Sequence, residues 1–130
     1  EYMNVLTNER WRTNNLENCV MVNAQGLVPE TMTGTISSLI AGSPKNLGKI
    51  VILRTDGSEG TIKFSSRKSA SCKSSINLSQ LMRGGAEQFD GIGGGHEAAA
   101  GAKITKDKLD GFLDYLENNV TKMPDRDSNQ

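Results

Sequence analysis

Short apolar blocks separated by polar stretches run along the chain, and their periods predict its elements. Cys19-Val20-Met21-Val22-Asn23 is a β-rich run that reads as a buried strand. Ala24-Gln25-Gly26 turns the chain. Pro29 then opens a predicted helix with Met32, Ile36, Leu39 and Ile40 on one face, and Gly42-Ser43-Pro44 stops it. Ile50 to Leu53 form a continuous apolar run, the pattern of a central strand. Asp56-Gly57 is a turn signal, and Thr61-Ile62-Lys63-Phe64-Ser65 alternates as the returning partner of a hairpin. Residues 65 to 75 are Ser/Lys-rich and read as a loop. Asn77 caps a short helix carrying Leu78, Leu81 and Met82, which Gly84-Gly85 ends or interrupts. A glycine loop follows over residues 91–96. Ala98-Ala99-Ala100 favours helix and Gly101 would cap it. Residues 102–104 read as a short strand. Thr105 caps a last helix with the stripe Leu109, Phe112, Leu113 and Leu116. The order predicts an α/β fold: a mixed β-sheet flanked by helices in a single domain. Residues 1–18 read as a polar lead-in anchored by Trp11, residues 19–120 as the domain, and residues 121–130 as a frayed tail.

Composition narrows the function classes. The chain has 130 residues, enough for one domain. No apolar run approaches the roughly 20 residues a membrane span needs, so no membrane partner is expected. The start shows no basic region followed by an apolar one, and a cytoplasmic location is expected. Glu1-Tyr2-Met3 reads like the interior of a longer protein, with Met3 as an original start the alternative. Lys+Arg number 15 against 15 Asp+Glu, which excludes a globally basic nucleic-acid binder but not a local basic patch. Cys19 and Cys72 lack metal-type spacing and are expected as free thiols. His96 is the one histidine, so this chain alone cannot build a multi-histidine metal centre.

Two features carry candidate chemistry. The first is Gly91-Ile92-Gly93-Gly94-Gly95-His96. A glycine run costs backbone entropy and is kept where backbone must approach something closely. Leading into a helix N-terminus, it would offer N–H groups and a favourable dipole to a phosphate, with His96 as a further donor. The alternative is a flexible turn with a surface histidine. The run is neither a Walker loop nor a dinucleotide fingerprint. The second feature is a stretch from Thr61 to Ala86 that holds Lys63, Arg67, Lys68, Lys73 and Arg83 and no acid. It reads either as a solvated basic loop or as a backbone-phosphate track to which Ser65, Ser66 and Asn77 add contacts. No catalytic set is evident: Asp107, Asp110, Asp114 and Glu117 fit the wet face of the last helix. The residues alone describe a binding domain.

Phe64-Ser65-Ser66-Arg67, then Ile76-Asn77-Leu78, then Gly93-Gly94-Gly95-His96-Glu97-Ala98-Ala99-Ala100-Gly101-Ala102 resemble the DHH-associated domain. This is the C-terminal domain of DHH-family phosphoesterases, and the pattern looks most like archaeal RecJ-like single-stranded-DNA exonucleases. The resemblance runs from about Cys19 to Val120. It implies that Gly93, Gly94, Gly95 and His96 hold a phosphate and that Ser65 and Arg67 bind nucleic-acid backbone; Lys68, Lys73 and Asn77, from the basic stretch, are expected as further backbone contacts. It also implies that Mn²⁺ or Mg²⁺ sits in a separate N-terminal DHH domain of the parent protein. No metal, cofactor or catalytic residue is expected in this fragment, which has no Asp-His-His motif. The implied partners are single-stranded nucleic acid, the parent's own DHH domain and replication proteins. Related domains serve oligoribonucleases, nucleotide phosphatases and alanyl-tRNA synthetases, so a small-nucleotide substrate or a tRNA-binding or partner-binding module are the competing expectations.

Overall fold

The computed structural model describes residues 13–15 and 18–122. Six strands form one sheet: β1 (Thr13–Asn15), β2 (Cys19–Asn23), β3 (Ile50–Asp56), β4 (Thr61–Lys68), β5 (Ile92–His96) and β6 (Ala99–Thr105). Their spatial order is β1-β2-β3-β4-β6-β5. Only β2 and β3 run parallel; every other neighbouring pair is antiparallel. Three α-helices flank the sheet: α1 (Thr33–Ala41), α2 (Leu78–Gln88) and α3 (Leu109–Lys122). The mixed sheet flanked by helices is the expected α/β class.

Which strands are apolar throughout follows from which faces are covered. On one face, Met21, Ile52, Phe64, Ala102 and Ile104 pack against Leu81 and Met82 of α2 and Phe112 and Leu116 of α3. On the other, Val20, Val22, Val51 and Leu53 pack against Ile36, Ile40 and Ala41 of α1. Strands β2 and β3 are therefore buried on both faces and have no polar period. Strand β4 is covered fully on one face only, so it alternates: Ile62, Phe64 and Ser66 are buried, while Lys63, Ser65 and Arg67 are partly exposed. Strand β6 alternates in the same way, with Ala100, Ala102 and Ile104 buried.

Several expectations need correction. Residues 65–68 belong to β4 rather than to a loop, because the ladder with β3 continues to Lys68 opposite Ile50. Pro29 precedes a single 3-10 turn (Glu30–Met32), and α1 begins at Thr33. Leu39 is 50% exposed, off the buried face that Ile36 and Ile40 share. Asn77 caps α2 as expected, its Oδ1 accepting from the Gln80 N–H at 3.1 Å. Gly84 and Gly85 do not end α2, which continues to Gln88. The reason is packing: a Cβ on Gly85 would stand 2.4 Å from Tyr115 and 2.7 Å from Phe112.

The largest correction concerns residues 91–101. No helix follows the glycines. They form β5, which a two-residue turn at Glu97-Ala98 returns as β6. The alanines at 99, 100 and 102 are strand residues, and the small size of Ala100 and Ala102 suits a sheet face pressed by α2 and α3. The lead-in contributes a short strand antiparallel to β2. The Trp11 anchor and the tail beyond residue 122 lie outside the described residues.

An aromatic cluster sets the α3 position. Phe64 and Phe112 meet edge-on at 4.7 Å between centroids, and Phe89 and Tyr115 surround Phe112. The Tyr115 hydroxyl donates to the Leu81 carbonyl at 2.8 Å, tying α3 to α2. Gly85→Ala must displace these rings, so overpacking outweighs the gain of up to about 1 kcal/mol in helix propensity. A loss of about 1–2 kcal/mol in urea denaturation is expected. Gly84→Ala meets only the movable Tyr115 hydroxyl, at 3.3 Å, and is expected to stay within about 0.5 kcal/mol of the parent chain.

Candidate functional site

The face of the sheet that α1 leaves open presents three rows across β4, β6 and β5. Lys63 stands opposite Lys103, which stands opposite Ile92. Ser65 is followed by Gly101 and Gly94, and Arg67 by Ala99 and His96. The middle row has no side chain larger than serine, and cationic residues lie to either side of it. The result is a trough with a bare peptide floor. Its deeper part is a cleft of about 320 Å³ bounded by Thr33 and Gly34 of α1, by Lys63, Ser65 and Arg67 of β4, and by Gly94, Gly95 and Gly101. A neighbouring hollow of about 510 Å³ is lined by Lys63, Ile92, Gly93, Gly94, Gly101 and Lys103.

The cleft brings the basic side chains of Lys63 and Arg67 to a floor of bare backbone. The Nε of Arg67 is buried and has no hydrogen-bond partner. A buried guanidinium N–H without an acceptor is costly, so the Arg67 side chain gains from any rotation that brings its Nε to an acceptor. The first turn of α1 borders the cleft, and it carries no acidic residue and no side-chain cap. The helix terminus at the site thus comes from α1, far earlier in the chain than the helix expected after the glycines. Ser37 Oγ donates to the Gly34 carbonyl at 3.0 Å and lies 3.0 Å from Ser65 Oγ. With its own proton so used, Ser37 accepts from Ser65, and Ser65 must turn from it to donate to a ligand.

The far end of the trough carries an ion pair between Lys103 and Glu30, which also accepts from the Ser58 N–H at 3.1 Å. The hydrogen bond from Lys103 holds the Glu30 carboxyl below its ordinary range against a smaller opposing effect of desolvation. Sequence reasoning missed Glu30, Lys103 and the α1 turn. The alternation of Ala99, Gly101 and Lys103 along β6 is the signal that would have found Lys103.

The residues singled out from the sequence do not all converge. Ser65, Arg67, Gly94 and Gly95 line the cleft. Gly93 lines the neighbouring hollow and has a packing role, since a Cβ there would stand 2.5 Å from the Met82 carbonyl oxygen. Gly94 and Gly95 have φ of 153° and 149°, values that L side chains rarely adopt. His96 is exposed at the end of β5 and does not line the cleft. It shares the row of Arg67 two strands away, about 10 Å between backbones. Lys68 is engaged elsewhere, with Glu97 Oε2 at 3.3 Å and the Ser74 carbonyl at 3.1 Å. Lys73 is exposed in the 69–77 segment, and Asn77 uses its side chain as the α2 cap. Arg83, named in the basic stretch but not as a site residue, lies beside β5. Its Nε and Nη2 are 3.9 Å from where a Gly94 Cβ would be.

Among the described residues no group of three or more His, Cys, Asp or Glu could hold a metal ion, and no helix is long and apolar enough to cross a membrane. The described cysteines, Cys19 and Cys72, are free.

Comparison with known proteins places the chain. No curated protein matches the sequence. The fold is similar to the C-Ala domain of alanyl-tRNA synthetase from Aquifex aeolicus, at 16% identity and a TM-score of 0.66 over 85% of this chain and 98% of that one. It is similar to a pGpG-specific phosphodiesterase, PggH, from Vibrio cholerae, at 20% identity and a TM-score of 0.65. It is also similar to a DHH-domain protein described as a member of a family of ribosomal proteins, at 16% identity and a TM-score of 0.66. The last two matches cover 95% and 94% of this chain but only 40% and 30% of those two proteins. At these identities the likeness carries the fold alone. The family itself is carried by the DHHA1 domain model, which matches residues 19–122, and the chain belongs to the DHHA1 family of DHH-associated domains.

Proposed function

We propose that the chain is the substrate-binding domain of a DHH-family phosphoesterase and grips the phosphate backbone of single-stranded nucleic acid, as a RecJ-like exonuclease acting on single-stranded DNA requires. The observation that carries this reading is the gathering of Arg67, whose Nε has no hydrogen-bond partner, with Lys63, the α1 turn and the glycine floor around one cleft. Anion binding there needs no rearrangement of the sheet. Hydrolysis belongs to the parent's DHH domain, where Mn²⁺ or Mg²⁺ would activate water. The described residues do not fit such a centre, so their part is to bind and orient. That DHH domain is the first partner, and replication proteins are partners of the assembled enzyme.

A second reading, a short oligonucleotide or dinucleotide substrate, is favoured by the Glu30–Lys103 pair, which places a carboxylate at one end of the trough. Like charge there disfavours a phosphate chain continuing past Lys103. Affinity that rises with oligonucleotide length supports the single-strand reading; affinity that stops rising at two or three nucleotides supports the short substrate.

Two outcomes are expected of the 130-residue chain. In fluorescence anisotropy with labelled oligothymidylate, Arg67→Gln should lower the log–log salt slope by about 0.7, the value of one lost phosphate contact on a single strand. Lys68→Gln should leave the slope unchanged, because Lys68 is already held by Glu97 and Ser74. An unchanged slope in Arg67→Gln rejects the anion site. Incubated with Mn²⁺ and a 5′-labelled strand, the chain should produce no cleavage on a denaturing gel. Robust metal-dependent cleavage would show that this chain holds metal ligands after all.

A further inference from the structure

We propose that the hollow beside the anion cleft is a nucleobase subsite, with the base laid on the peptide floor of Gly93, Gly94 and Gly101 and against Ile92. A nucleotide would then lie across the open sheet with its phosphate between Arg67 and Lys63 and its base at Ile92. The proposal rests on the reading of the cleft as a phosphate site.

Ile92 is 80% exposed, more than any other exposed large hydrophobic residue among those described. A single exposed isoleucine is ordinary. Its setting is what matters here. Across the trough Ile92 stands opposite Lys103, and Gly93, Gly94, Gly101 and Ala102 line the same hollow, so its aliphatic side chain flanks peptide planes beside the Lys103 stem. That surface is flat and largely apolar, with room for a planar ring in about 510 Å³.

The hollow is continuous with the anion cleft, because Lys63, Gly94 and Gly101 line both. Successive rows of the trough are two residues apart along each strand, about 6.7 Å. A phosphate over Ser65 and Gly101 therefore has the Ile92 row one step away, on the scale of one nucleotide's phosphate-to-base reach.

Charge decides what the second position takes. The Lys103 ammonium is paired with the Glu30 carboxylate, so this end is close to neutral. A second phosphate would meet Glu30, whereas a neutral base would not. The base edge would face the polar rim formed by the same pair.

The test compares adenosine 5′-monophosphate with ribose 5-phosphate, which carries the same phosphate and sugar but no base. Both are titrated into the 130-residue chain by isothermal calorimetry or amide-resonance shifts. The nucleotide should bind about fivefold tighter, the effect of removing some aliphatic surface from water, and Ile92→Ser should abolish that ratio while leaving ribose 5-phosphate within about twofold. Ile92 is outside the core, so the variant should keep the parent's far-ultraviolet spectrum. Equal affinities in the parent chain, or a ratio that survives Ile92→Ser, overturn the base subsite. Arg67→Ala should weaken both ligands. If it weakens neither, or if the parent binds neither, the phosphate reading falls as well. A retained Arg67 effect with a ratio indifferent to Ile92 defeats the base subsite alone and points to Ile92 as a protein contact.

Discussion

The short reach of α1 is the constraint on which the rest depends. Nine residues of helix cover β2 and β3 on one face of the sheet and meet β4 through the Ser37–Ser65 hydroxyl pair. Beyond that line, β4 and β6 are buried on their other face and open on this one, and β5 is partly covered by α2 at Gly93. A broad exposed aliphatic surface favours association, and apart from Ile92 and Ala99 the open positions are polar, charged or bare. Lys63, Ser65, Arg67, Gly101 and Lys103 are the outcome. The cleft is thus the part of the sheet that no helix reaches, and the first turn of α1 forms its wall.

Much of this was legible in the sequence. The uninterrupted apolar runs in β2 and β3 and the alternation in β4 state which strands are sandwiched and which are one-sided. The amphipathic stripe of α3 and the Asn77 cap of α2 were also plain, because each rests on local spacing. The glycines were misread for a definite reason. Gly84-Gly85 and the run at 91–95 look like breakers by local propensity. The constraint on two of them is tertiary: α3 lies against Gly85 and α2 against Gly93, closer than a Cβ permits. Propensity carries no information about what another helix demands. The alanines at 98–100 misled in the same way, since a small residue suits a tight turn or a pressed strand position such as Ala100 as well as a helix.

The candidate site was legible in composition but not in arrangement. Arg67, Ser65 and the glycines were found, and the structure gathers most of them around the cleft. Lys68 lay in the same basic stretch, yet its side chain leaves the open face to meet Glu97. Charge counting along a chain cannot see that adjacent strand residues point to opposite sides. Glu30 and the α1 turn were invisible for another reason: they reach the trough from a separate crossover.

The chain order of the strands has a kinetic meaning. Strand β6 is the last to be made, yet it lies between β4 and β5, the two strands it joins into the trough. Until it inserts, Arg67 and the glycine strand belong to separate pieces of chain, and neither has the other as a neighbour. The β5–β6 hairpin is local, but pairing β6 with β4 spans the α2 crossover, and non-local pairing of this kind is slow. On the proposed phosphate reading, affinity and completion of the sheet are one event, and a ligand in the trough would select for molecules that have finished folding.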